Sequence, residues 1–407
     1  MKALSLTIDA HHALTPELRD RIVQNVRTRM QEHPYRLLSP EHFRALAALD
    51  TAGPPIVSLY LQLTPERRVG RAWQSALSAL SHRISQTADQ AARASVKADI
   101  QDIQAALDQQ LPGLGRGAAF FACRERGIWR QIALPIPLPD SIQIVPRPHL
   151  RPLLRTWGRS DRALLALLSR EQSRFFVSHL GNIEEIYRVK GRRIRGMLTD
   201  RVPRDRRDAL ATQLMKDEAK ALASMAEIIG REFETSHILL CAPPDMSAAF
   251  RDHLSKDSLS RHAAFETSVH ASPAEIGAAA AAIQDQLKVC EEHELIDRLR
   301  EANSVAVSTG TQETLDCLSE GRVLTLVVDD SYAAAGTQCR HCGSLFEDAQ
   351  LSKCPVCGEA DLEVVDDLVE AALQQALERR AQIAFVRDPT CRSALSEKAP
   401  LQALLRY

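Results

Sequence analysis

The sequence predicts an α/β (α+β) protein of about three domains, the last of them carrying a small metal knuckle. The chain is 407 residues long, more than a single hydrophobic core commonly serves. Runs of β-branched and apolar residues alternate with stretches of helical periodicity through its last two units. Four of its nine cysteines form two Cys-x2-Cys pairs near the C-terminus.

Taken in order, the first fifty residues hold Pro16, Pro34 and Pro40 and suggest short helices wrapped onto the first domain. Ile56–Leu63 is a β-branched, apolar run and predicts a buried strand. From Arg71 to Leu107 the pattern is helical: Trp73, Leu77, Leu80 and Ile84 share one face, as do Ile100, Ile103 and Leu107. Ala118–Cys123 and Ile128–Leu134 suggest a hairpin, and six prolines between 135 and 152 mark an extended segment and a domain boundary. In the second unit, Ala163–Leu168, Arg174–Leu180 and Asn182–Tyr187 are expected as successive strands. Leu210, Leu214, Leu222, Met225 and Ile229 recur at helical spacing, which predicts a long amphipathic helix. His237–Ala242 and Phe265–His270 are expected strands, and Pro273 stands near the start of an alanine-rich helix. In the third unit, Glu313–Ser319 is helical, Gly321 ends it, and Val323–Val328 is a buried strand. A helix over Leu368–Arg380 and a strand over Gln382–Val386 close it.

Lysine plus arginine (51) nearly cancel aspartate plus glutamate (52), so any nucleic-acid contact must come from a local basic patch. Aromatic residues make up only 4% of the chain, which argues against a single-strand binder built on stacking platforms. No apolar run reaches membrane-spanning length, and the N-terminus lacks a signal-peptide core. With nine cysteines, this points to a cytoplasmic protein whose thiols are free or bind metal.

Cys339-x2-Cys342 and Cys354-x2-Cys357 stand eleven residues apart. Each turn can aim two thiolates at one point, and two turns complete a tetrahedral site, so a structural Zn2+ is expected. Gly343 and Gly358 follow the second cysteine of each pair, as knuckle turns prefer. The alternatives are a pair of redox dithiols or a knuckle that has lost its metal. Four cysteines leave no open position for catalysis. His341 is expected to be exposed, and Cys123, Cys241, Cys290, Cys317 and Cys391 to behave as small buried hydrophobes.

The second signal is basic. Between positions 190 and 207 lie Lys190, Arg192, Arg193, Arg195, Arg201, Arg204, Arg206 and Arg207, against two aspartates. Gly191, Gly196 and Pro203 keep the stretch irregular, which suits phosphate contacts, the alternative being a solvated charge run. No Gly-x-Ser-x-Gly elbow, Walker loop or His-Glu-x-x-His helix is present, so no catalytic residue and no small-molecule substrate are assigned.

Glu313–Val328, a helix running through a glycine into a strand with an insertion after it, resembles the C-terminal domain of archaeal and eukaryotic class-1 release factors and Pelota. Leu368–Val386 is similar to that domain's closing helix and strand, and 399–407 to the terminus of bacterial members. Arg174–Ile186 resembles the strand pair before the catalytic loop of those factors, His237–Pro244 the strand after their long helix, and Pro55–Leu61 their decoding domain. The resemblance runs from Ser39 onward and implies a three-domain release-factor-like architecture with a zinc knuckle (339–358) inserted in the C-terminal domain. The expected divisions are 1–155 (decoding-domain-like), 156–300 (central, with the basic loop) and 301–407.

Release factors carry Gly-Gly-Gln on the loop before the long helix. Here the loop has neither Gly-Gly nor glutamine; Gln213 is expected inside the helix. The stop-codon-reading elements Asn-Ile-Lys-Ser and Tyr-x-Cys-x-x-x-Phe are also missing from the first unit. The resemblance therefore implies a factor that binds the 70S ribosome and its rRNA at the tRNA site without hydrolysis, as Pelota does in rescue and Balon in hibernation. Delivery by a translational GTPase such as elongation factor Tu is implied as well. The competing readings are a peptidyl-tRNA hydrolase or tRNA-acting enzyme using a divergent loop, and an RNA-binding scaffold off the ribosome.

Overall fold

The computed structural model describes residues 4–7, 15–32, 39–49, 53–87, 90–111, 114–157, 162–179, 182–190, 204–303, 305–397 and 399–406. The chain folds into two compact units: residues 1–36 with 160–287, and residues 37–159 with 288–407. Elements are numbered in chain order.

The first unit is built on a six-stranded sheet in the order β1-β8-β7-β6-β9-β10. Its centre is an antiparallel meander of β6 (Ala163–Leu167), β7 (Gln172–His179) and β8 (Asn182–Lys190). Onto it β9 (His237–Cys241), β10 (His262–Ala264) and β1 (Leu4–Thr7) add in parallel. Every residue of β6 is buried because both faces of the sheet are covered. On one face, Leu164, Phe175 and Tyr187 pack with Leu222, Met225 and Ile229 of α7 (Arg204–Glu232), Ile22 and Val26 of α1 (Pro16–Glu32), and Phe250 of α8 (Pro244–Arg251). On the other, Leu165, Phe176 and Leu239 pack with Ile276 and Ala280 of α10 (Pro273–Glu301). The short α9 (Lys256–Ser260) precedes β10.

Several expectations change here. The segment after Pro16 is one 17-residue helix rather than short pieces, and Arg27 is paired to Glu232 of α7 at 2.7 Å. Leu210 leaves the stripe and is 45% exposed. The strand expected over Phe265–His270 lies earlier, at His262–Ala264: parallel pairing to β9 selects it, and Phe265 follows it with its N–H donating to Leu240 O (3.0 Å) and its side chain buried.

The second unit contains two sheets and a ribbon. Its first sheet has the antiparallel order β4-β3-β2-β5, from β2 (Ile56–Gln62), β3 (Gly117–Cys123), β4 (Ile128–Leu134) and β5 (Ser141–Val145). The helical stretch after Arg71 is two helices, α4 (Ala72–Thr87) and α5 (Gln90–Gln110), preceded by the short α3 (Pro65–Val69). Val57, Leu59 and Leu61 of β2 face Trp73, Leu77, Ile103 and Leu107 of these helices. Alternate residues Ile56 and Tyr60 face a second core with α2 (Pro40–Ala47) and α6 (Arg151–Trp157).

The second sheet has the order β11-β17-β12-β16, from β11 (Val307–Ser308), β12 (Val323–Asp329), β16 (Gln382–Val386) and β17 (Leu401–Leu405). With it go α11 (Thr311–Ser319), α12 (Leu368–Glu378) and α13 (Pro389–Ser396). The ribbon β14-β13-β15 uses β13 (Gly336–Cys339), β14 (Leu345–Phe346) and β15 (Leu362–Val365). One apolar cluster runs through both sheets: Phe43, Leu46, Tyr60 and Phe121 share it with Leu315, Leu326, Leu368 and Leu373. Where three divisions were expected, residues 37–159 and 288–407 thus fall together, and residues 1–36 fall with the central stretch.

Candidate functional site

Two constellations hold the residues that the sequence singles out. The first is the cysteine quartet. Gly343 N donates to Cys339 O (2.8 Å) and Cys339 N to Ser344 O (2.9 Å); the second turn repeats this with Gly358 N to Cys354 O (2.9 Å) and Cys354 N to Glu359 O (2.8 Å). Both turns need a left-handed residue, and Gly343 and Gly358 supply it at φ +79° and +80°. The four sulfurs lie within 4.8 Å of one another, with Cys339–Cys357 and Cys342–Cys354 at 3.6 Å. That is too long for a disulfide. A tetrahedron of Zn–S bonds of about 2.3 Å has edges of about 3.8 Å, so the quartet has the size of a four-thiolate metal site.

Burial opposes ionisation of the Cys342 thiol, but donors from Ser344 and the thiols of Cys339 and Cys354 bring it down to about 6. At Cys357 the Glu359 backbone favours the thiolate, yet burial and the three neighbouring sulfurs push the thiol up to about 12. Cys342 is thus the thiol primed to ionise, and Cys357 the one that resists. His341 is exposed and outside the quartet. Of the remaining cysteines, Cys123, Cys317 and Cys391 are buried, Cys241 is half-buried, and Cys290 is exposed, against expectation, on a solvated helix face.

His293, Asp388 and Cys391 also bring ligand atoms within 4.8 Å. There, however, the Asp388 carboxylate is engaged as the N-cap of α13, accepting from Thr390 N (2.9 Å) and Cys391 N (3.1 Å).

The second constellation is the root of the basic loop, in the first unit. Lys190 is the exposed last residue of β8; Arg204 opens α7, Arg206 is exposed and Arg207 half-buried in its first turns. Arg192, Arg193, Arg195 and Arg201 lie outside the described residues. Gln213 is within α7 and exposed, with its amide donating to Asp217 (2.9 Å).

Sequence reasoning missed the clamp beside this root. Arg174 in β7 and Arg188 in β8 both fork onto Glu185, at 2.9 and 2.8 Å and at 2.9 and 2.9 Å respectively. Arg174 also donates to Val269 O (3.0 Å) and Ala271 O (2.9 Å), tying that turn to the sheet, and lies 4.6 Å from the Phe176 ring centroid. Burial raises the Glu185 carboxyl, but the two guanidinium groups outweigh it and hold the carboxyl at about 2. The alternation Glu185, Tyr187 against Arg188 in β8 hints at charged neighbours, but only the fold reveals Arg174 as their partner.

Residues 148–285 match the model of a family described as bacterial archaeo-eukaryotic release factor family 10. The match spans the β6–β10 sheet and α7, and bears out the resemblance expected from element order. No curated protein sequence matches the chain. Among solved structures, the archaeal translation termination factor aRF1 is 15% identical, covering 91% of this chain and 99% of its own, with a TM-score of 0.23. Pelota from Archaeoglobus fulgidus is 15% identical over 72% of this chain and 79% of its own, at a TM-score of 0.33. An archaeal Pelota in a model of the ribosome-bound protein with ABCE1 is 18% identical over 72% and 77%, at 0.38.

Proposed function

We propose that this chain, a bacterial member of the release-factor and Pelota superfamily, is a ribosome-associated translation factor that occupies the tRNA site without hydrolysing peptidyl-tRNA. The observation that carries the reading is a release-factor family match over 148–285 whose loop between β8 and α7 has arginines in place of Gly-Gly-Gln. Hydrolysis requires a group that holds a water in line and stabilises the developing oxyanion. Arginine is a donor only and cannot act as a general base. Lys190 and the arginines 192, 193, 195, 201, 204, 206 and 207 contact rRNA phosphates, sequence-independently and with strong salt dependence. Ribosome hibernation or rescue is the setting, in the cytoplasm, with a translational GTPase such as elongation factor Tu as the delivering partner. Among the described residues no helix is long and apolar enough to cross a membrane.

Cys339, Cys342, Cys354 and Cys357 hold one Zn2+, whose role is structural: four protein ligands leave no open position, and the three-stranded ribbon has only a small core around Phe346. The test is a ribosome complex carrying labelled peptidyl-tRNA, treated with excess protein and, in parallel, with an active release factor. The expected result is binding with no release above background. Release that rises with protein concentration, and disappears in Arg192→Ala/Arg193→Ala/Arg195→Ala, would overturn the reading in favour of a hydrolase.

A further inference from the structure

His293, Asp388 and Cys391 form a mixed cluster in the second unit that the capping role of Asp388 does not use up. Both capped amides, Thr390 N and Cys391 N, donate to Oδ1, which leaves Oδ2 outside the cap. His293 stands on α10, exposed, with its Nε2 3.8 Å from the same Oδ1. Cys391 is buried, and its thiol comes within hydrogen-bonding reach of the Asp388 carboxylate. An imidazole nitrogen, a carboxylate oxygen and a thiol sulfur thus all lie within 4.8 Å of one another. A helix cap needs the carboxylate alone.

The elements that carry the three groups are locked together. Glu292, next to His293, accepts from Arg387 N and Asp388 N at 2.8 Å each, so α10 grips the turn that enters α13. Cys391 and Leu395 of α13 pack with Ile296 and Leu299 of α10 in one apolar cluster. Packing therefore holds the donors in place before any ligand arrives.

Charge and donor type select the ligand. Burial first, then the Asp388, Glu292 and Asp297 carboxylates, push the Cys391 thiol up to about 11. Those same negative charges attract a cation, and a bound cation reverses their effect on the sulfur. Cys391 lies in the first turn of α13, where the helix N-terminus helps to hold a thiolate. Nitrogen, oxygen and sulfur donors together suit Zn2+, whereas Mg2+ and Ca2+ prefer oxygen alone. Bonds of about 2.0 Å to nitrogen and oxygen and about 2.3 Å to sulfur give tetrahedral edges of about 3.3–3.5 Å. A small turn of the exposed His293 side chain brings the cluster to that size.

We propose that His293, Asp388 and Cys391 form a second metal site, an exchangeable one for Zn2+ or a similar divalent transition-metal ion. Binding exchanges the S–H bond of Cys391 for a metal–sulfur bond and releases one proton to solvent. Three ligands leave one position to water, so this site is weaker than the four-thiolate knuckle, and protein cleared with a mild chelator keeps a single zinc. When filled, it staples α10 to α13. The site does not depend on the function proposed above.

The test loads the full chain with one equivalent of Zn2+, which the knuckle takes, and titrates it with Co2+. Uptake of one Co2+ per chain is expected, with tetrahedral d–d bands and a near-ultraviolet charge-transfer band from a single thiolate. Excess Mg2+ is expected not to compete, and further Zn2+ to displace the cobalt. His293→Ala, at an exposed side chain, and Asp388→Asn, which keeps the α13 cap, are each expected to weaken Co2+ binding at least tenfold. Cys391→Ala is expected to remove the charge-transfer band; if this buried variant misfolds, the other two decide. No uptake of Co2+, or equal uptake in His293→Ala and Asp388→Asn, overturns the proposal. So does zinc released to solution as cobalt enters, because the cobalt would then occupy the knuckle.

Discussion

Glu370→Ala is expected to destabilise the second unit by about 3–5 kcal/mol, since it leaves two buried N–H donors without an acceptor. Glu370 sits in the first turn of α12 and is 9% exposed. Its two oxygens accept from Leu150 N at 2.7 Å, just before α6, from Arg151 N at 2.8 Å, the first amide of α6, and from the Gln374 side chain at 2.8 Å. The residue thus caps one helix from another more than two hundred positions away in sequence. Each charge-assisted bond contributes about 1.5–3 kcal/mol, and the favourable charge at a helix N-terminus adds up to about 1 kcal/mol. In a unit of this size the loss corresponds to a fall in Tm of about 10 °C. Glu370→Gln keeps one acceptor oxygen and is expected to lose about half as much. Differential scanning calorimetry reads both variants, with hydrogen exchange assigning the change to residues 37–159 and 288–407. A loss below about 1 kcal/mol for Glu370→Ala would refute the reasoning, because it would mean that those amides find water in the folded state.

Cys354→Ser is expected to reduce zinc from one per chain to none and to abolish hydrogen-exchange protection in 336–365, with the first unit unaffected; zinc retained by elemental analysis would contradict the four-thiolate site. Gly336→Ala places a Cβ 2.4 Å from the Phe346 carbonyl and 2.9 Å from a Leu368 methyl, so the ribbon must shift at a loss of about 1–3 kcal/mol, read by chemical denaturation. The Glu185 carboxyl is held at about 2 against an ordinary 4.5, so its contribution is complete above 4.5 and is lost as pH falls toward 2. Glu185→Gln should therefore lower stability at neutral pH and flatten the pH dependence between 4.5 and 2; an unchanged acid-unfolding profile would place the clamp outside the stability of the sheet.

The strands that sequence reveals best are those buried on both faces. Ile56–Leu63, Ala163–Leu168 and Val323–Val328 are mainly apolar runs, and each becomes a central strand because cores lie on either side of it. The cysteine quartet is equally legible, since the geometry of a knuckle is fixed within four residues. What sequence conceals is decided at long range. Leu4–Thr7 carries too few residues to signal a strand, and exists as one by pairing with Tyr187–Lys190. His262–Ala264 has no β-propensity to speak of and is selected by its neighbour β9. The core shared by Phe43, Tyr60, Leu368 and Leu373, and the bonds from Leu150 and Arg151 to Glu370, join stretches that periodicity assigns to separate domains. Arg174 shows why single charges are hard to place: an arginine in an apolar strand becomes intelligible only once Glu185 is seen beside it.

The central claim is ribosome binding through phosphate contacts of the loop between β8 and α7, and the direct measurement is affinity for purified 70S ribosomes by co-sedimentation across a salt series. The wild-type chain is expected to bind saturably, with log affinity falling linearly in log salt. Arg192→Ala/Arg193→Ala/Arg195→Ala should bind more weakly and lower the magnitude of that slope by about 2–3, roughly one for each lost phosphate contact. No binding at low salt, or a triple variant with unchanged affinity and slope, would contradict the account.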